Sequence, residues 1–111
     1  MSLVHKVCEF YKKIYLTSPK IPKRDRFGIY LKIENICLEM IDLLIMASLE
    51  IKADKLPILN LARIKIEVLK RLIRITYELK IIENKKYINL ESDLQEISKM
   101  TNGWIKYLKQ F

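Results

Sequence analysis

The sequence has very few of the residues that build turns. Among its 111 residues there are only two glycines and three prolines, while isoleucine, leucine, lysine and glutamate dominate. Sheets and loop-rich folds need frequent turn residues, whereas leucine, lysine and glutamate favour long helices. Half of the chain is apolar, which is enough to bury a core without disulfides or a metal. We therefore predict an all-α fold in a single domain spanning residues 1–111.

The chain also lacks the residue combinations of an enzyme. His5 is its only histidine, so no catalytic triad can be assembled, and Gly28 and Gly103 stand too far apart to form a phosphate-binding loop. Cys8 and Cys37 lie 29 positions apart without a CxxC motif, a pattern typical of reduced, half-buried thiols. We predict a protein that is not an enzyme and uses no metal, cofactor or small-molecule substrate.

A membrane-spanning run and a signal peptide are missing as well. The most hydrophobic stretch, residues 36–49, is interrupted by Glu39 and Asp42 and is too short to cross a bilayer. The N-terminus reaches His5 and Lys6 before any apolar run develops, which is not the pattern of a signal peptide. We expect a cytoplasmic protein without a membrane partner.

Apolar residues recur at helical spacing in the first half of the chain. A first helix is predicted over residues 2–16, because Pro19 pushes the residue before it out of the helical region. A second helix should start within residues 22–25, tolerate Gly28, and continue to about residue 52. The predicted core positions are Leu3, Val7, Phe10 and Ile14 on the first helix, and Ile29, Ile33, Ile36, Cys37, Met40, Leu44 and Ala47 on the second.

The second half predicts two more helices. Asp54 is the expected N-cap of the third, which has Pro57 in its first turn and ends near residue 80, and Asn84 is the expected N-cap of the fourth, which ends near residue 110. Short connections near residues 18–23, 52–55 and 82–84 make consecutive helices antiparallel. The predicted architecture is an up-down-up-down four-helix bundle. A single core stripe on the fourth helix comprises Tyr87, Leu90, Leu94, Ile97, Thr101, Trp104 and Leu108, with Trp104 as a core anchor.

The two middle helices carry more apolar surface than one core can bury. On the third helix, Ala62, Ile66, Leu69 and Ile73 form the core stripe. Each of the two helices has a second stripe on another side, and monomers rarely expose apolar patches of that size. We therefore predict self-association through these second stripes. Their members are Leu31, Leu38, Ile45 and Leu49 on the second helix, and Leu61, Ile64, Val68, Leu72, Ile75 and Leu79 on the third.

Basic residues outnumber acidic ones by 21 to 13, a net charge of +8. Such an excess attracts RNA, DNA, an acidic protein or an anionic membrane, although stripes with partners in the same chain argue against the membrane. Singly, each basic residue is explained by a solvated helix face, with Arg63–Glu67 and Arg74–Glu78 at ion-pair spacing. Taken together, they indicate a polyanion-binding surface. The candidates are Lys20, Lys23, Arg24, Arg26 and Lys32 around the first link, and Arg63, Lys70, Arg71 and Arg74 on the third helix.

Three segments resemble a known superfamily of four-helix bundles. Residues 22–28 (PKRDRFG) resemble the P-K-x-x-R-F-(G/T) entry to the second helix in proteins encoded in ribosomal RNA intervening sequences and in accessory variability determinant (Avd) proteins. Residues 71–80 (RLIRITYELK) resemble the Avd pattern R-x-L-x-R-L-A-x-E/D-L. Residues 96–106 (EISKMTNGWIK) resemble its closing E-I-G-(R/K)-M-x-G-G-W-x-K, with Asn102 where glycine is common. Residues 38–47 lack the S-I-P-x-N-I-A-E-G segment of the intervening-sequence branch, which favours Avd.

The resemblance implies a specific function. Avd proteins form positively charged homopentameric barrels and bind the reverse transcriptase and template RNA of a diversity-generating retroelement, so that the template is copied mutagenically. They have no catalytic residues of their own. By this resemblance we expect a homopentamer with a reverse transcriptase and RNA, or also DNA, as partners. The alternative is a self-assembling protein of the intervening-sequence type without a direct role in nucleic-acid binding.

Overall fold

The computed structural model describes residues 2–110, and this part of the chain contains helices and no strand. Four long helices, α1, α3, α4 and α5, each pack against two of the others, α1 and α4 both against α3 and α5. They form an elongated body of 47 × 21 × 21 Å. The predicted all-α four-helix bundle is confirmed. The helices are α1 (Leu3–Thr17), a short α2 (Lys23–Arg26), α3 (Ile29–Leu49), α4 (Lys52–Glu78) and α5 (Asn84–Lys109), with a 3₁₀ turn at Ser18–Lys20.

The core is one cluster to which each long helix contributes a stripe. The predicted stripes of α1 and α4 are buried, as is that of α3 except for the half-buried Ile29. Tyr30 and Ile105 are buried although the pattern did not predict them. Trp104, the predicted core anchor, is only half-buried at the edge of the core, where the Lys55 ammonium lies 5.9 Å from its ring centroid. Cys37 is fully buried, which raises the pKa of its thiol to about 12.

The predicted second helix is divided in two. The short α2 ends at Arg26, and α3 begins only at Ile29, so the prediction of one continuous helix is wrong. At the break the Gly28 N–H donates to the Asp25 carbonyl at 3.1 Å, a tighter turn than an α-helix makes. A Cβ at Gly28 would lie only 3.1 Å from the Arg24 carbonyl oxygen. Glycine therefore lets the chain pass close to α2 before α3 begins.

Tyr30 fastens the start of α3 to the end of α1. Its hydroxyl donates to the Ile14 carbonyl at 2.6 Å, and the ring is buried. The last carbonyls of a helix lack partners within that helix, and at the end of α1 the Ser18 N–H donates to Tyr15 rather than to Ile14. Burial raises the pKa of Tyr30, which therefore stays protonated. The link between the helices is also packed, since Ile21 within it is buried.

Both predicted N-caps are wrong. The α4 helix begins at Lys52, so Asp54 lies inside its first turn, where its carboxylate interacts favourably with the positive end of the helix. Pro57 is the sixth helical residue rather than part of the first turn. The α5 helix begins at Asn84 itself, with Glu83 before it and no side-chain cap. The connection between α3 and α4 is stabilised by Lys55 instead of by Asp54. The Lys55 Nζ atom donates to the Ala47 carbonyl near the end of α3 at 2.6 Å.

The α4 helix ends in a left-handed turn at Lys80, two residues beyond Glu78. Lys80 has a φ of 61° and is the only residue other than glycine in the described chain with a positive φ. The Ile81 N–H reaches back to the Thr76 carbonyl at 2.8 Å and the Lys80 N–H to the Tyr77 carbonyl at 3.0 Å. This is the hydrogen-bond pattern of a helix C-terminus that normally uses glycine at the left-handed position.

We expect Lys80→Gly to stabilise the protein by about 1 kcal/mol, because glycine adopts the left-handed conformation without the steric penalty of a Cβ. The free energy of unfolding in urea measures the effect. Lys80→Ala is the matched control: it removes the same charge but keeps the Cβ. A gain in the alanine variant equal to that in the glycine variant would show that charge, not backbone conformation, is responsible.

We expect Tyr30→Phe to lower the free energy of unfolding by about 1–3 kcal/mol, since it leaves the Ile14 carbonyl without its buried donor. Tyr15→Phe removes a hydroxyl from an exposed ring of the neighbouring helix and serves as the control, with a change near zero. Urea denaturation of both variants measures the change in the free energy of unfolding. Equal stability of the two would mean that the 2.6 Å hydrogen bond contributes nothing.

Candidate functional site

The basic side chains predicted on α4 lie on one side of that helix, toward α5. Arg63, Lys70, Arg71 and Arg74, together called the α4 basic row, fall within roughly 100° of helical rotation. The expected Arg63–Glu67 pair does not form, because Glu67 pairs with Lys70 at 3.6 Å. The expected pair of Arg74 with Glu78 is present at 3.5 Å. Within residues 2–110, Arg63 and Arg71 have no carboxylate at ion-pair distance and are exposed.

Arg74 joins α4 to α5. Its guanidinium donates to the Tyr87 hydroxyl at 3.3 Å and lies 5.6 Å from the ring centroids of both Tyr77 and Tyr87. These two rings stack on each other with centroids 4.5 Å apart and planes inclined by 13°. The hydrogen bond that Arg74 donates to Tyr87 is the largest of the causes that raise the pKa of Arg74. A residue held by this contact is less free to bind an anion than Arg71, and the sequence pattern did not reveal the difference.

Three members of the α4 basic row, all except Arg63, border a shallow surface depression of about 200 Å³ between α4 and α5. Lys70, Arg71 and Arg74 lie on one side of it, but Glu67 and Glu91 also line it. Three cations are thus opposed by two carboxylates. The depression is only weakly positive, so Arg63 and Arg71, outside the ion pairs, are the members of the row best able to contact a polyanion.

The other predicted basic residues form a separate group at one end of the bundle. Lys23, Arg24 and Arg26 lie in α2, and none of them has an ion pair within the described chain. Arg26 is half-buried with its guanidinium 5.8 Å from the Phe27 ring centroid, and its Nε atom is buried without a hydrogen-bond partner. Lys80 and Lys85, which the sequence analysis did not single out, flank the connection from α4 to α5.

These two groups are best described as two basic surfaces. No hydrogen bond, ion pair or ring contact between described residues joins α2 to the α4 basic row. Consecutive antiparallel helices put the first and third connections at the same end of the bundle, so α2 and the α4–α5 connection lie at one end. We call this the basic end. Its members are Lys20, Lys23, Arg24, Arg26, Lys80, Lys85 and Lys86.

The predicted second apolar stripes lie largely outside the core. On α3, Leu31, Leu38 and Ile45 are 42–44% exposed and Leu49 is 81% exposed. On α4, Leu61, Ile64 and Val68 are exposed, while Leu72 and Ile75 are half-buried. Leu79, which is also exposed, lies just beyond the end of α4. Each stripe points roughly 120° to 150° away from the core side of its helix.

An ion pair lies between α3 and α4 on the surface that separates the two stripes. Lys65 Nζ and Glu39 Oε2 are 2.8 Å apart, and this hydrogen bond holds the pKa of Glu39 below its ordinary value. This polar contact lies between the two apolar stripes, which are on different helices.

Other types of site find little support in the described chain. Residues 2–110 contain no group of three or more histidine, cysteine, aspartate or glutamate side chains that could hold a metal ion. His5 is exposed, with its Nε2 atom 3.9 Å from Glu9. Over the same residues, no helix combines the length and apolar character needed to cross a membrane.

Comparison with known proteins identifies the family. No curated protein matches the chain. A family model does: the model described as bAvd-like matches residues 1–108, nearly the entire sequence. This match confirms the resemblance to Avd proteins that residues 22–28, 71–80 and 96–106 indicated. The chain belongs to the bAvd-like family.

Proposed function

We propose that this chain is a non-catalytic accessory subunit of a diversity-generating retroelement. In this role it binds the reverse transcriptase and its template RNA, or the DNA copied from it, in the cytoplasm and supports mutagenic reverse transcription. The observation that carries the proposal is the bAvd-like match over residues 1–108. The net charge of +8, together with Arg63 and Arg71, which form no ion pair within residues 2–110, supports a polyanion or an acidic protein surface as the partner.

The same proposal includes a ring of identical subunits, five by analogy with the family. The exposed stripes of α3 and α4 point in different directions, so one subunit can offer an apolar surface to two neighbours at once. If the α3 stripe of one copy packs on the α4 stripe of the next, the contact is heterologous and closes into a ring when the rotation permits. Burial of these stripes would remove an apolar exposure that is unusual for a monomer.

For assembly, we expect Leu38→Lys with Ile45→Lys to convert the oligomer into monomers while leaving the helical content largely unchanged. The reason is that two ammonium groups would have to be buried without partners in the subunit contact. Light scattering at micromolar concentration and circular dichroism measure the two quantities. Asn35→Lys with Asp42→Lys is the control, since both positions are exposed on α3 beside the stripe. A wild-type protein that is monomeric at this concentration would refute the ring.

For nucleic-acid binding, we expect the logarithm of RNA affinity to fall linearly with the logarithm of salt concentration. If Arg63 and Arg71 each contact one phosphate, Arg63→Gln with Arg71→Gln lowers the slope by about 1.4 for single-stranded RNA. Lys99→Gln with Lys109→Gln removes the same charge from exposed positions on α5 and should change the slope less. Binding of reverse transcriptase is measured with the same variants.

The wild-type result separates the two candidate functions. Binding of neither RNA nor reverse transcriptase at low salt would reject the accessory role and leave a self-assembling protein of the intervening-sequence type. An unchanged slope in the arginine variant, with RNA binding intact, would move the contact away from the α4 basic row and toward Lys23, Arg24 and Arg26.

A further inference from the structure

A cavity of about 260 Å³ opens at the basic end of the bundle. It lies where the 3₁₀ turn after α1, the connection between α4 and α5, and the first turn of α5 come together. Ile21 and Ile82 line it and are themselves buried in the core, 2% and 7% exposed. The cavity therefore has an apolar floor held in place by the bundle, with Lys20 and Lys86 among its lining residues.

Lys86 is the unusual group in this cavity. It is half-buried, yet within residues 2–110 no carboxylate lies within ion-pair distance of its ammonium. Burial lowers its pKa, and the charges of Lys13 and Lys20 lower it further. The carboxylate of Asp93 raises the pKa of Lys86, but its effect is the smallest of the four causes. The ammonium groups of Lys13 and Lys20 thus lie near enough to that of Lys86 to disfavour its charged form.

The nearby polar groups do not relieve this repulsion. Asp93 already binds two lysines, Lys13 at 2.7 Å and Lys6 at 3.6 Å. The Thr17 hydroxyl donates to the Lys13 carbonyl at 2.9 Å, and within residues 2–110 its oxygen accepts from no lysine. Glu83 is the one carboxylate in the lining, and it is exposed with no ion pair to a described residue. Among residues 2–110, neither the exposed Lys20 nor the half-buried Lys86 has a hydrogen-bond acceptor.

The two lysines that line the cavity favour an anion with several oxygens as its ligand. A phosphate group can accept from two ammonium groups at once, and lysine binds phosphate as a strong point charge. A cation would add to the repulsion. An apolar ligand would bury the two ammonium groups without partners, which costs free energy.

We propose that the cavity binds a phosphate group held by Lys20 and Lys86. The inference deepens the proposed function, because a nucleic-acid backbone would supply such phosphates, but the site can be tested without RNA. Two sources share the chemistry: the backbone of a single-stranded RNA, and a free phosphate or mononucleotide. This site is distinct from the α4 basic row and from the apolar stripes.

The first experiment tests the site directly in the full chain with its isoleucine methyl groups labelled for NMR. Inorganic phosphate and a nucleoside 5′-monophosphate should shift the methyl signals of Ile21 and Ile82, whereas the unphosphorylated nucleoside should not. Lys20→Gln with Lys86→Gln should weaken the binding at least tenfold. Glu83→Gln should tighten it several-fold, since it removes the only carboxylate of the lining. Lys99→Gln with Lys109→Gln, a matched loss of two charges elsewhere, should leave it unchanged.

The second experiment identifies the source. If the phosphate comes from an RNA backbone, a single-stranded RNA shifts the same methyl signals, and Lys20→Gln with Lys86→Gln lowers the slope of log affinity against log salt by about 1.4. If only the free anions shift the signals, the site binds free phosphate or a nucleotide.

Two results would overturn the site. One is the absence of any methyl shift with phosphate, mononucleotide and RNA alike. The other is an equal loss of binding in the Lys99 and Lys109 control, which would reduce the effect to net charge. Either result leaves the accessory function standing if RNA or reverse transcriptase still binds at the α4 basic row. Conversely, phosphate binding in a protein that binds neither partner would support the site and reject the accessory function.

Discussion

Short connections determine where every surface of this bundle lies. Only residues 50–51 join α3 to α4, and only residues 79–83 join α4 to α5, so these helices must run antiparallel side by side. This brings α2 and the α4–α5 connection to one end, where basic residues accumulate. It also sets α3 and α4 side by side, with the Lys65–Glu39 pair between their exposed stripes. The basic end, the cavity and the apolar stripes are consequences of one topology.

Periodicity predicted most of the fold because each long helix buries one stripe. It failed where a contact between helices outweighed local preference. Tyr30 is buried because its hydroxyl reaches the Ile14 carbonyl, which a helical wheel of α3 cannot show. The break before α3 follows from a tight turn at Gly28. Asp54 was predicted as a cap from residue type alone, but Lys55 stabilises that connection by binding the end of the preceding helix.

The candidate site could be predicted in outline but not in its pairing. Residue type and spacing located the α4 basic row, yet they assigned Glu67 to Arg63, whereas Glu67 pairs with Lys70. They also treated Arg74 as equivalent to Arg71. The Tyr77–Tyr87 stack that holds Arg74 joins two different helices, and the spacing of residues along one helix cannot show such a contact. Lys86 was not predicted as a site residue, since a lysine in the first turn of a helix is usually solvated. An up-down topology, however, already places the first and third connections together, so their lysines could have been grouped from the predicted topology.

The two proposals reinforce each other through symmetry. In a ring closed by rotation about one axis, every subunit has the same orientation relative to that axis. Heterologous packing of the α3 stripe on the α4 stripe would therefore place all basic ends at the same level of the ring, as a repeated rim of phosphate sites. A single site of two lysines binds a phosphate weakly in water, because exposed charges are strongly screened. A polymer that reaches several sites gains from the high effective concentration at each neighbour, so assembly through apolar surfaces is what would make the basic end a useful nucleic-acid contact.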